Sequence, residues 1–188
     1  MTRSRLIGFN GGMGVGKSTA IRLLEDVLGY PPSLVKFAGP LYDMQEYIYN
    51  RISSVYTRPP EFTKDRMLLQ WLGTDWGRNT IDKNLWVNLW KADVKSALDK
   101  GYFVVCDDVR FDNEAELVRS FGGIVINISR KDGTEHAQGG VGIKNHASES
   151  GIALSLIDAH ITNDSTLEEY KNQLADAYNL LGIEPVTG

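Results

Sequence analysis

The sequence predicts an α/β protein built on a mostly parallel sheet, and three observations predict it. Short apolar runs at 6–10, 34–38, 102–106, 124–128 and 159–162 alternate with longer helix-patterned stretches, as parallel sheets with crossover helices require. Two of these runs, Phe103-Val104-Val105-Cys106 and Ile124-Val125-Ile126, are continuously apolar, which suits strands covered on both faces. The first run leads into Gly11-Gly12-Met13-Gly14-Val15-Gly16-Lys17-Ser18. That stretch fits G-x-x-x-x-G-K-[ST], the phosphate-cradling P-loop.

Taken in order, Leu6-Ile7-Gly8-Phe9 is the buried strand that the motif needs before it, and residues 19–28 form the amphipathic helix behind it, stopped by Gly29. The stretch 39–100 is longer than a single crossover helix requires and reads as helices broken at Pro59-Pro60, so it is expected to be a helical insertion. After the strand at 102–106, Asp112-Asn113-Glu114 opens a helix with a cap and an acidic first turn, and Gly122-Gly123 closes it. The segment 130–150 holds Arg130, Lys131, Lys144, two histidines and Gly139-Gly140-Val141-Gly142. It is too glycine-rich for a buried element and reads as a flap. Ser165-Thr166-Leu167-Glu168 is a capping box for the last helix, whose stripe of Leu167, Tyr170, Leu174, Ala177, Tyr178 and Leu181 reads as core. The expectation is one domain, 1–188, with sub-regions at 39–100 and 130–150.

Composition narrows the function. At 188 residues, 42% hydrophobic and 23% charged, the chain has the make-up of a soluble globular domain. A net charge of −4 argues against a polymeric nucleic-acid partner, which favours a basic face, but not against small phosphorylated ligands. Cys106 has no second cysteine to pair with, which fits a reducing cytoplasm. No apolar run approaches membrane length. The expected location is cytoplasmic (the host cytoplasm if phage-encoded), with no membrane partner and the question of a homodimer open.

The chemistry-bearing residues follow from the loop. Its glycines turn backbone N–H groups toward an anion at a helix N-terminus. Lys17 is expected to reach the β- and γ-phosphates, and Ser18 to ligate Mg²⁺. Asp107 and Asp108 end a buried strand, where a carboxylate can organise Mg²⁺ and its waters. Alternation points them to different sides, so Asp107 is assigned to the metal and Asp108 to a second substrate, with capping of the next turn as the simpler role. Arg110, at the strand's C-terminal edge, suits a phosphate, although a surface ion pair with Glu114 would also account for it. In the insertion, Gln70, Asp75, Trp76 and Arg78 are the candidates for holding a base and its phosphate, with Arg66 weaker. Trp71, Trp86 and Trp90 are read as core. Arg130 and Lys131 could swing over a transferring phosphoryl group. His136, His146 and Glu149 lack the spacing of a zinc site.

The stretches IGFNGGMGVGKST, FAGPLYDM, LLQWLGTDWGR with NLWV, VVCDDVRFDNEA, Arg130-Lys131 and HASESGI resemble the deoxynucleoside monophosphate kinases of tailed bacteriophages, a branch of the P-loop NMP-kinase group. The resemblance runs from about residue 6 to 165. The front end is also similar to dephospho-coenzyme A kinase, as is Ile161-Thr162-Asn163-Asp164, which in that family ends the last strand and borders adenine. The first resemblance implies a three-layer α/β/α fold with five parallel strands in the order 2-3-1-4-5, an NMP-binding helical region and a lid. It implies that Gly11, Gly12, Met13, Gly14, Val15, Gly16, Lys17, Ser18 and Thr19 hold ATP and Mg²⁺. It likewise implies that Arg78 and Arg110 hold the monophosphate, and that Arg130 and Lys131 are lid cations. The implied reaction is ATP + dNMP → ADP + dNDP. A dephospho-coenzyme A-like acceptor and a nucleotide-dependent regulatory switch are the competing readings.

Overall fold

The computed structural model of the chain describes residues 5–56, 65–130 and 151–182. In chain order the elements are β1 (Leu6–Asn10), α1 (Lys17–Leu28), β2 (Ser33–Leu34), α2 (Gly39–Ser53), α3 (Arg66–Gln70) and a π-helical segment (Trp71–Ile81). Then come α4 (Leu85–Asp99), β3 (Val104–Cys106), α5 (Asp112–Ser120), β4 (Ile124–Ser129), a 3₁₀ turn (Leu154–Leu156), β5 (Ala159–Thr162) and α6 (Leu167–Asn179). The strands form one sheet in the order β2-β3-β1-β4-β5, and every pairing is parallel. This is the expected 2-3-1-4-5 order.

Strand alternation divides the core. Ile7 and Phe9 of β1, Val105 of β3 and Ile124, Ile126 and Ile128 of β4 face α1 and α6, where Leu24, Tyr170 and Leu174 close the layer. Leu6, Val104, Cys106 and Val125 face the other way, onto α4 and α5 through Trp90, Val94, Ala115 and Val118. Both faces are covered, which is why the strands read as unbroken apolar runs. A third cluster, Leu41, Leu69, Leu72 and Trp86, holds α2, α3 and the π-helical segment together beside the sheet. The aromatic readings at 86 and 90 hold, with Trp86 and Trp90 fully buried.

Within 39–100 the π-helical segment is the least expected element. Its wide turn shows in Asp82 N–H, which reaches back five residues to the Gly77 carbonyl at 3.0 Å. Gly77 lies against the Trp86 ring, where a Cβ would come within 2.4 Å of ring carbon. The Trp86 indole N–H donates to the Gly73 carbonyl at 2.7 Å. A glycine four residues after Gly73 thus lets the segment lie flat on the ring. At the far end of the same stretch, α4 packs on the sheet itself through Trp90, Val94 and Ala97.

Three local expectations change. The run at 34–38 pairs as a strand only at Ser33–Leu34, because the Phe37 and Ala38 amides turn to the Asp108 carboxylate at 3.0 and 2.9 Å. Asp112 does not cap α5. Phe111 holds the N-cap position and Glu114 accepts its N–H at 3.2 Å, while Asp112 accepts the Ala153 N–H at 2.8 Å. The α6 cap falls one residue later than expected, on Thr166, whose hydroxyl accepts from Glu169 N–H at 3.2 Å. Leu167, read as part of the core stripe, is the first residue of the helix and is 64% exposed. Pro59-Pro60, the 131–150 part of the expected flap, Lys131, His136, Lys144, His146 and Glu149 lie outside the described residues.

Candidate active site

All five strands are parallel, so their C-terminal ends share one edge, and the crevice there is where ligands of open α/β sheets bind. β1 delivers the glycine loop to that edge. Gly11, Gly14 and Gly16 have positive φ, the turn geometry that lets successive N–H groups face an anion. Gly16 is the most constrained. Its φ is +108°, and a Cβ there would lie 2.3 Å from Asn163 Nδ2. The loop is braced from the far end of the chain: Asn163, just past β5, donates its amide N–H to the Val15 carbonyl at 2.9 Å. The Tyr170 hydroxyl donates to the Gly16 carbonyl at 3.2 Å.

Lys17 opens α1 and folds back over the loop, donating to the carbonyls of Gly11 and Gly12 at 2.7 and 2.6 Å. Burial, then the nearby Arg110, lowers its pKa to about 8 against the opposing pull of Asp107 and Asp108. Lys17 follows β1, Lys36 follows β2, and Asp107, Asp108 and Arg110 follow β3, so these charges share one edge of three neighbouring parallel strands. Ser18 is exposed on the first turn of α1.

The two aspartates at the end of β3 do different work. Asp107 Oδ2 pairs with Lys36 at 3.2 Å, while its Oδ1 is buried with no hydrogen-bond partner. Burial disfavours the Lys36 ammonium, but Asp107, by charge and hydrogen bond, outweighs this and raises its pKa. Asp108 spends both oxygens on the chain itself: they accept the Phe37 and Ala38 amides, and the Cys106 thiol donates to Oδ1 at 3.1 Å. It anchors the entry to α2. The Cys106 thiol is pushed well up by burial, and then by the charge of Asp108.

Arg110 is exposed, and only its backbone N–H meets Glu114; the anticipated side-chain ion pair does not form. Glu114 pairs instead with Arg78 Nη2. Arg78 Cζ sits over the Phe111 ring, 3.7 Å from its centroid, and its side chain is 10% exposed. Burial raises the Glu114 carboxyl to about 7 against the pull of Arg78 and the Arg110 amide. Burial likewise lowers Arg78, against the pull of Glu114.

Of the other candidates, Arg130 stands at the exit of β4 with its Nε donating to the Asn163 carbonyl at 3.3 Å. Asp75 is exposed and joins Met67, Leu68 and Trp71 around a cleft of about 310 Å³. The roles of the two tryptophans differ from expectation. Trp71, read as core, is 53% exposed in that cleft, and Trp76, read as a ligand contact, packs on the Leu41–Leu72–Trp86 cluster. Gln70 and Arg66 are half-buried. Among the described residues no cluster of three or more His, Cys, Asp or Glu could hold a metal by itself, and no helix is long and apolar enough to cross a membrane.

Sequence reasoning missed Lys36, Glu114 and the hydroxyl of Tyr170. Lys36 had a findable signal, a cation just beyond a strand at the shared edge. Tyr170 was legible as a ring in a core stripe, and nothing in that periodicity reports where its hydroxyl ends.

The chain is similar to known proteins in sequence and in fold. A family model described as deoxynucleotide monophosphate kinase matches residues 16–174. A protein of Acanthamoeba polyphaga mimivirus, provisionally named a deoxynucleotide monophosphate kinase, is 32% identical over 190 residues, covering 90% of this chain and 93% of its own. The deoxynucleotide monophosphate kinase of Enterobacteria phage T4 is 30% identical over 134 residues, covering 71% of this chain and 53% of its own length. A solved structure from Chloroflexus aurantiacus, provisionally named a kinase, has a TM-score of 0.50 at 15% identity over 95% of this chain and 98% of its own. That last likeness speaks to the fold alone.

Proposed function

We infer the division of labour in the site from one premise: the chain belongs to the deoxynucleotide monophosphate kinase family. It is a nucleoside monophosphate kinase with ATP as phosphoryl donor. The residue roles that follow are our reading of the geometry. It rests most on Arg110 standing exposed just past β3, at the same sheet edge to which the neighbouring parallel strand β1 delivers the Lys17 loop.

The donor half is the loop Gly11 to Thr19. Its amides and the α1 N-terminus take the phosphates of ATP. Lys17 exchanges the Gly11 and Gly12 carbonyls for β- and γ-phosphate oxygens. Arg130, beside Asn163, supplies charge from the β4 side. The buried, unpartnered Asp107 Oδ1 and the exposed Ser18 hydroxyl suit a hydrated divalent cation, because Mg²⁺ takes few protein ligands and keeps waters and phosphate oxygens. These two residues would hold Mg²⁺, which when bound would supply neutralisation of phosphate charge.

The acceptor half is Arg110 for the monophosphate and the cleft of Met67, Leu68, Trp71 and Asp75 for the base. The cleft offers a ring face for stacking and one carboxylate to accept from a base N–H. A phosphate monoester has its second pKa at about 6 and is mostly dianionic at neutral pH, so this site needs no general base. An acceptor oxygen attacks the γ-phosphorus, the bond from that phosphorus to the β–γ bridging oxygen breaks, and ADP leaves. The chain contributes alignment and cations that offset the repulsion of two anions.

An acceptor panel tests the reading. ADP release should depend on a deoxynucleoside monophosphate, with slower release in water alone or with dephospho-coenzyme A. Release driven only by the coenzyme precursor would overturn it. A split between variants locates the halves. Lys17→Ala should weaken ATP use with every acceptor, whereas Arg110→Ala should raise KM for the monophosphate and leave ATP binding within about twofold. Equal loss of ATP affinity in both would place Arg110 on the donor side instead.

A further inference from the structure

A heavily bonded polar cluster outside the glycine loop joins the π-helical segment to the start of α5. From the segment side, Arg78 gives Nη2 to Glu114 and Nη1 to the Lys83 carbonyl at 3.3 Å and to Asn113 Oδ1 at 3.5 Å. Asn113 returns its amide to Asn84 Oδ1 at 2.8 Å and to the Lys83 carbonyl at 3.4 Å. From the core side, Glu114 Oε2 accepts the Arg110 and Phe111 backbone N–H groups at 2.8 and 3.2 Å, and the Phe111 ring carries the Arg78 guanidinium. One carboxylate thus grips Arg78 with one oxygen and the backbone of Arg110 with the other.

We propose that Arg78 and Glu114 form a strut that sets the position of Arg110 relative to the helical region carrying the base cleft, so that Arg78 acts on the monophosphate through Arg110 and not as a phosphate ligand itself. This rests on the acceptor-half reading above. The burial decides against direct contact. A phosphate that drew Arg78 away would leave Glu114, 3% exposed, as an unpaired carboxylate in the interior, which is strongly unfavourable. Arg110 already stands exposed at the strand edge, and among the described residues its side chain gives up no partner to take the phosphate. The planar fork explains why arginine suits position 78: its cation sits over Phe111 while two separate nitrogens reach acceptors on three residues, a spread that the single nitrogen of an ammonium lacks.

Two measurements on the full chain test it. In the first, kcat and KM are obtained for the monophosphate and for ATP with Arg78→Met, Glu114→Gln, Arg110→Ala and the pair Arg78→Met/Arg110→Ala. A strut predicts that Arg78→Met and Glu114→Gln each lower kcat/KM for the monophosphate by about 100-fold, the scale of an ångström-size misplacement, with KM for ATP changed less than about twofold. Added to Arg110→Ala, Arg78→Met should lower it by less than about threefold, since its effect passes through the missing residue. A direct ligand predicts the reverse, with Glu114→Gln near wild type and the full Arg78→Met loss kept in the Arg110→Ala background. Either result overturns the strut.

The second measurement needs no turnover. Hydrogen exchange at the Arg110 and Phe111 amides should speed up at least about tenfold in Glu114→Gln and Arg78→Met while β1 and α1 stay protected. Unchanged exchange there overturns the proposal even if the wild type proves to use another acceptor, which would instead overturn the acceptor reading. If Arg78→Met does not fold, Arg78→Lys keeps the charge without the fork. It should fold with fast exchange at 110–111 and reduced monophosphate kcat/KM, and wild-type values in Arg78→Lys would contradict the strut.

Discussion

At the scale of single residues, Lys17 has the most exposed consequence. Burial first, and Arg110 second, bring its pKa to about 8 from an ordinary 10.5. The bound triphosphate favours the ammonium, so ATP binding above pH 8 requires uptake of a proton. The affinity for ATP should therefore be flat below about pH 8 and fall as pH rises past it. Calorimetric titration in two buffers of different ionisation enthalpy should show proton uptake that grows between pH 7.5 and 9; a pH-independent heat difference between buffers would contradict it. The stability term has its own sign. Between about 8 and 10.5 the unfolded chain binds more protons at Lys17 than the folded one, so this residue's share of stability rises with pH across that window. Gly16 carries a second prediction. With φ at +108° and Asn163 in the way of any Cβ, Gly16→Ala should lose about 1–3 kcal/mol to backbone strain and release the Asn163 brace. Melting and ATP titration would both register it, and an unshifted melting temperature would refute it.

At the scale of elements, the entry to α2 depends on a residue in another strand loop. Asp108 holds the Phe37 and Ala38 amides, while the Trp90 ring stacks on Phe37 at 4.3 Å and its indole N–H donates to the Val35 carbonyl at 2.9 Å. Asp108→Ala strands two backbone donors, each worth about 1–3 kcal/mol if it stays buried. A drop in thermal stability larger than that of Asp107→Ala is expected. The opposite ranking would show that the carboxylate at 108 is not structural. This contact also explains what the sequence could and could not tell. Apolar runs, the glycine loop and helix periodicity are local patterns, and they located the five strands and α1 within a few residues. Asp108 to Phe37 spans 71 positions and Arg78 to Glu114 spans 36. Such contacts have no period, so Asp108 and Arg78 read as substrate residues and their partners within the chain stay out of sight. Residue type alone, by which Trp71 and Trp76 are read, does not say which ring a π-helical segment turns inward.

At the scale of the whole molecule, a parallel sheet gathers the donor loop, the Asp107–Lys36 pair, Arg110 and Arg130 at one edge, and the helical region beside that edge supplies a cleft joined to it through Arg78 and Glu114. That layout makes sense for a reaction with two anionic substrates held in line. The most direct test follows the phosphoryl group itself. The protein is incubated with ATP labelled in the γ-phosphate, with and without each deoxynucleoside monophosphate, and the products are separated. The label should appear in the deoxynucleoside diphosphate, with little in inorganic phosphate. Label that goes to inorganic phosphate at the same rate whether or not a monophosphate is present would contradict a two-substrate transfer site.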